Sequence, residues 1–139
     1  MELVKNSGCA SRISFPYSDS DWNNLPSEKV RMDALKNRIS DYRTVPISAE
    51  NFKTELNEGY PIVIAFYLDN RFFEIVNAGG KYIWDGILGK EGNINDTACY
   101  YHAVTVIGCD EDTRLFEIMN SWGNDWASNG FFFIDYEVF

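Results

Sequence analysis

The sequence is poor in histidine, with His102 alone, and it holds only three cysteines, Cys9, Cys99 and Cys109. One histidine and scattered cysteines supply no metal-ligand spacing, so neither a metal nor another cofactor is expected. An odd, sparse cysteine set excludes a disulfide scaffold; one bridge and three free thiols both fit. Basic clusters are absent too. Lys and Arg number 12 against 21 Asp and Glu, a net charge of −9, so nucleic acid is not an expected partner. No Gly-rich phosphate loop occurs. The longest apolar run, Pro61 to Leu68, is too short for a membrane span. The opening Met-Glu-Leu-Val-Lys-Asn has no signal-peptide core, and the compartment stays unknown.

What is present points to a folded chain. Of its residues 45% are hydrophobic and 16% aromatic, whereas a disordered segment would be poor in both. A length of 139 residues fits one domain, 1–139, read as an irregular and helical segment 1–47 and a sheet lobe 48–139. Residues 1–26 are rich in Ser, Asn, Asp and Pro and read as irregular. Ser27 is placed to cap a helix over 27–40 with Met32, Leu35 and Ile39 on one face. Tyr42 to Ile47 reads as a short strand weakened by Pro46.

Ser48 then caps a helix over 49–57, in which Phe52 and Leu56 stand one turn apart and Gly59 ends the run. Strand 61–68 alternates Ile62, Ile64, Phe66 and Leu68 against Val63, Ala65 and Tyr67. Both faces are apolar, which predicts burial on both sides. Residues 77–100 carry five glycines and read as loop, with a brief strand at Tyr82 to Trp84 and a glycosylation triplet, Asn95-Asp96-Thr97. Three strands follow, His102 to Ile107, Leu115 to Asn120 and Gly130 to Tyr136, joined through the turn Asp110 to Thr113 and a Gly- and Asn-containing loop around Trp126.

His102 opens an apolar strand. A hairpin centred near Glu111 would set it opposite Asn120 or Ser121. An amide oxygen there can fix the imidazole tautomer and leave the other ring nitrogen free to serve a nucleophile. The bland alternative is a polar pair that closes a hairpin end.

The stretch His102-Ala-Val-Thr-Val-Ile-Gly108, then Phe116-Glu-Ile-Met-Asn120-Ser-Trp-Gly123, then Trp126 and Gly130-Phe131-Phe132 resembles the C-terminal part of the papain-like (C1 family) cysteine peptidases. Order, spacing and residue types agree with the family's His, Asn-Ser-Trp-Gly, Trp and Gly-aromatic pattern. Weaker similarity covers Phe15-Pro16-Tyr17 and Asn51 to Leu68. The resemblance implies an α+β, papain-like fold, truncated, with a twisted antiparallel sheet or half-barrel and one or two helices. It implies His102 as general base, Asn120 as its orienting partner, and Trp122 and Trp126 beside the bound chain.

The sequence also departs from the family. Ala127 stands where Gly is usual after the second Trp, and Cys109 where an aromatic is common. The nucleophile motif Cys-Gly-Ser/Ala-Cys-Trp/Tyr is missing, as is the upstream Gln that helps bind the oxyanion. Cys9 lies about 90 positions before His102, against the roughly 130–150 that separate nucleophile and His in papain-like enzymes. Aligning Cys9-Ala10-Ser11-Arg12 with the motif would put Arg12 at the nucleophile position. Cys99 lies near His102 in sequence but matches no catalytic position, and Cys109 reads as a small buried hydrophobe.

Three functions therefore compete. One is an inactive homologue that binds peptide or protein. The second is part of an active peptidase whose Cys lies on sequence not included here or on another chain. The third is a rearranged thiol enzyme using Cys9 or Cys99. Loss of the nucleophile lobe would uncover apolar surface near His102, Trp122 and Trp126, and so imply a homodimer or a complementing chain.

Overall fold

The computed structural model describes residues 1–16, 23–68, 72, 82–84 and 100–139. Cys99 and the Asn95 triplet lie outside the described residues. The chain divides into two compact units, Met1–Thr44 and Val45–Phe139.

In the first unit, helix α1 (Glu2–Ser7) forms where the sequence reads as irregular. It buries none of its own residues, so it carries no apolar stripe to announce it. It stops at Gly8, whose φ is +77°. Gly8 passes so close to the Ala34 carbonyl that a Cβ would lie 1.8 Å from that oxygen. Helix α2 (Glu28–Ala34) starts at the expected cap, with the Ser27 hydroxyl accepting from the Val30 amide at 3.4 Å. A 3₁₀ turn (Leu35–Asn37) continues it. The expected apolar face is not the buried one. Ala34 is buried, while Met32 is 60% exposed, Leu35 is exposed and Ile39 is half-buried. Tyr42 to Ile47 forms no strand, in keeping with Pro46.

Among the described residues the second unit holds a five-stranded sheet, one full helix and a closing 3₁₀ turn (Tyr136–Val138). Ser48 caps α3 (Ala49–Asn57) by accepting from the Asn51 amide at 3.2 Å. The strands are β1 (Ile62–Leu68), β2 (Ile83–Trp84), β3 (Tyr100–Asp110), β4 (Leu115–Met119) and β5 (Phe131–Asp135). Their order is β1-β3-β4-β5-β2. All pairs are antiparallel except β2 with β5, which is parallel, so the sheet is mixed.

Alternation decides which face is buried. Ile62, Phe66, Val104, Val106, Phe116, Ile118 and Phe132 join one core with Phe52 of α3, and Ile64 packs against it half-buried. Each fully buried side chain of this kind contributes about 1.5–3 kcal/mol. The opposite face of β1 is not buried, contrary to the expectation from its sequence. Val63 is 56% exposed and Ala65 is exposed, because α3 covers only the Phe66 face through Phe52.

The β3–β4 register also departs from the symmetric hairpin. Thr105 faces Met119 and Val106 faces Ile118, and a bulge follows between Val106 and Gly108. The turn runs on to Arg114, which adopts a left-handed φ of 57°. Asp110 holds it by accepting from the Asp112 and Thr113 amides at 3.0 and 3.2 Å. Among the described residues no helix is long and apolar enough to cross a membrane.

Candidate active site

His102 lies near the start of β3, on the core-facing side with Val104 and Val106, and is half-buried. Asn120 follows β4 and is 9% exposed. Its amide donates to the Gly130 carbonyl at 2.9 Å, which fixes the backbone where β4 gives way to the next loop. His102 Nε2 and Asn120 Oδ1 are 2.7 Å apart.

The proton can be placed by elimination. The Ser121 backbone amide donates to the same Asn120 atom at 2.8 Å, and a backbone N–H has nothing to accept with. That atom is therefore the carbonyl oxygen, and the imidazole must donate to it. Nε2 carries a proton, and in the neutral ring Nδ1 keeps the lone pair. Asn120 Nδ2 is buried and finds no hydrogen-bond partner among the described residues.

Aromatic rings wall this pair. Trp122, 40% exposed, lies 5.0 Å from His102 between ring centroids and 5.2 Å from Trp126. Trp126 packs at 5.7 Å against the fully buried Phe132. Phe72 reaches His102 at 6.1 Å and Trp122 and Trp126 at 5.5 Å each. Nothing in the sequence around Phe72 marks it for this place. It belongs to no periodic run, and only tertiary packing brings it here.

The loop from Asn120 to Phe131 is held by its own backbone. The Gly130 amide donates to the Trp126 carbonyl at 2.7 Å, and Gly123 and Gly130 take φ of 92° and 90°. Ala127 takes φ of 46°, a conformation that a glycine would adopt without the Cβ clash.

Two of the cysteines, Cys9 and Cys109, are among the described residues. Cys9 belongs to the first unit and is exposed, two residues past the end of α1. Its backbone is clamped by Asn37, which accepts from the Cys9 amide at 3.2 Å and donates its side-chain amide to the Cys9 carbonyl at 3.0 Å. Cys109 is half-buried in β3, opposite Phe116. Among the described residues no three His, Cys, Asp or Glu side chains cluster to hold a metal.

Known proteins resemble this chain in sequence and fold. A probable cysteine protease of Arabidopsis thaliana, RD21B, is 26% identical over 129 residues, covering 93% of this chain and 25% of its own length. An uncharacterized peptidase C1-like protein of Acanthamoeba polyphaga mimivirus is 30% identical over 113 residues, covering 78% of this chain and 31% of its own. Xylellain, a cysteine protease from Xylella fastidiosa, superposes with a TM-score of 0.74 at 27% identity, over 98% of this chain and 53% of its own. The chain thus spans a quarter to a third of these two curated relatives and about half of this solved one. The family model for papain family cysteine proteases matches residues 1–138, and the chain belongs to that family.

Proposed function

We propose that this chain carries the imidazole–carboxamide half of a papain-type thiol peptidase site, and that alone it binds peptide or protein segments without cleaving them. The observation that carries this reading is the 2.7 Å hydrogen bond from His102 Nε2 to Asn120 Oδ1. With Nε2 committed to Asn120, Nδ1 is the nitrogen left to take a proton from a thiol and to pair with the thiolate. Trp122 and Trp126 offer an apolar wall to a bound chain. The attacking group is the part that the reading finds missing, since no cysteine here stands in the family's nucleophile motif.

The partial coverage of the relatives favours a second reading. The thiol would lie on sequence outside these 139 residues or on a second chain, and the assembled protein would be an active cysteine peptidase. His102 and Asn120 have the same roles in both readings.

One experiment separates them. The purified chain is assayed with a fluorogenic peptide library and, separately, with an epoxide reagent for papain-like thiols, before and after mixing with a nucleophile-bearing half from a papain-family enzyme. Alone it turns over nothing and is not labelled. Cleavage that appears on mixing and vanishes in His102→Ala supports the assembled-enzyme reading. Cleavage by the chain alone that vanishes in Cys9→Ala overturns the proposal in favour of Cys9 as nucleophile.

A further inference from the structure

The sheet has a second face, turned away from the core, and its side chains are mostly apolar. Two rows cross it. Val63, Thr105, Met119 and Phe131 stand opposite one another on β1, β3, β4 and β5. Gly108, Glu117, Phe133 and Ile83 do the same on β3, β4, β5 and β2. Val63 is 56% exposed, Ile83 49% and Met119 44%, and Ile107 at the bulge is exposed as well. Five strands about 4.8 Å apart make a surface roughly 20 Å wide, twice the width of a helix with its side chains. Continuous apolar surface on that scale is uncommon on a monomer. One carboxylate stands within it. Glu117 is half-buried and lies over Gly108, where a Cβ would be 3.4 Å from its Oε2. Among the described residues it has no hydrogen bond or ion pair; Arg114 pairs with Glu137 and Lys53 with Glu111.

We propose that this face docks a basic amphipathic helix of a partner protein, with an Arg in the middle of its apolar stripe seated against Glu117. The form of the partner follows from the surface. Extended chains add at sheet edges, whereas sheet faces take helices or other sheets. The charge then selects among occupants. A wholly apolar cover would strand the Glu117 carboxylate away from water, and a cation removes that cost. A guanidinium suits a partly buried pair, being weakly hydrated and matched in shape to a carboxylate. A second copy of this chain fits worse, because it brings another Glu117 and a further net charge of −9. The inference is independent of the His102–Asn120 reading, since His102 lies on the core-facing side of β3 with Val104 and Val106.

The probe is a labelled synthetic helical peptide of about 18 residues with a leucine stripe and one central Arg, and a second version carries Glu at that place. Fluorescence anisotropy measures the binding of each to the full chain. The Arg peptide is expected to bind about tenfold more tightly than the Glu peptide. Glu117→Arg reverses that order; should it fail to fold, Glu117→Gln, nearly the same in shape, levels it. Met119→Lys and Val63→Lys, both at exposed positions, weaken the Arg peptide about tenfold. Trp122→Ala, beside His102, leaves binding unchanged. Absence of binding overturns the proposal, and so does equal binding of the two peptides or an order that survives Glu117→Arg or Glu117→Gln. A loss confined to Trp122→Ala puts the peptide beside His102 and overturns it too. Sedimentation of the chain without peptide is expected to be the same in wild type and Met119→Lys. A wild-type dimer that Met119→Lys dissociates would give this face to a second copy and overturn the proposed occupant.

Discussion

His102 and Asn120 meet diagonally across the β3–β4 hairpin. Thr105 faces Met119, so the register carried one residue further sets Asn120 opposite Val104, with His102 one pleat beyond on the same face. Diagonal neighbours in a sheet lie about 7–8 Å apart, within reach of an imidazole and a carboxamide. The 2.7 Å contact is thus made by two side chains leaning toward one another, and it depends on each being held.

Asn120→Ala removes the only acceptor recorded for His102 Nε2 among the described residues and leaves the Ser121 amide without its partner. The imidazole is then expected to populate both tautomers, seen as intermediate ¹⁵N shifts for its two nitrogens. Stability falls by about 1–3 kcal/mol, the cost of a buried hydrogen bond removed from one side. A single, unchanged Nε2–H tautomer in this variant would show that something other than Asn120 fixes the ring.

Ala127→Gly should stabilise the chain. Ala127 sits at φ 46°, where an L side chain costs on the order of 1 kcal/mol that glycine does not pay. The gain is trimmed by the loss of a half-buried methyl and by the greater freedom of glycine in the unfolded chain. A net gain of about 0.5 kcal/mol, read from urea denaturation midpoints, is expected. A loss would mean that the methyl packing outweighs the backbone strain.

Gly8→Ala acts in the first unit. Its Cβ would fall 1.8 Å from the Ala34 carbonyl oxygen, and its φ of +77° already disfavours an L residue. The backbone must move, so α1 should fray from the turn after α2 at a cost of about 3 kcal/mol or more. Amide exchange over Glu2–Ser7 should quicken while β3 and β4 keep their protection. Unchanged exchange in α1 would contradict the close approach.

Most of the second unit was legible because its strands obey a period of two and its helix starts at a serine cap. The His–Asn pair was legible through motif spacing, although the predicted register was off. The bulge after Val106 and the turn running to Arg114 leave no mark in composition. α1 was illegible for a different reason, since a helix that buries none of its residues has no apolar period. The outward face of β1 misled because Val63 and Ala65 are apolar yet exposed, and residue type alone does not say what covers a face. Phe72 was hidden in the same way: only the rings it touches mark its place, and no local pattern does.

Tyr136 gives the chain an alkaline limit. It lies in the 3₁₀ turn after β5, is 4% exposed, and packs 4.4 Å from Phe116. Its hydroxyl is buried without a hydrogen-bond partner among the described residues. Burial first, then Cys109, Glu111 and Asp110 nearby, pushes its ionisation up to about 12. Lys53 and Arg114 lie over the ring at 5.2 and 5.9 Å, but their charges do not offset the burial. The unfolded phenol ionises near 10, so the folded state binds its proton more tightly. The resulting stability is complete below pH ~10 and is lost as the pH rises toward ~12, on the order of 2–3 kcal/mol in all. Tyr136→Phe should remove this alkaline loss. At neutral pH it should cost little, because the only group among the described residues placed to bond the hydroxyl is the Cys109 thiol, a weak partner. Urea denaturation of both chains at pH 7 and at several values from 9 to 12 tests the two expectations together. Parallel alkaline declines in the two proteins would place the sensitive group elsewhere, and a large loss at pH 7 would mean that the hydroxyl has a partner after all.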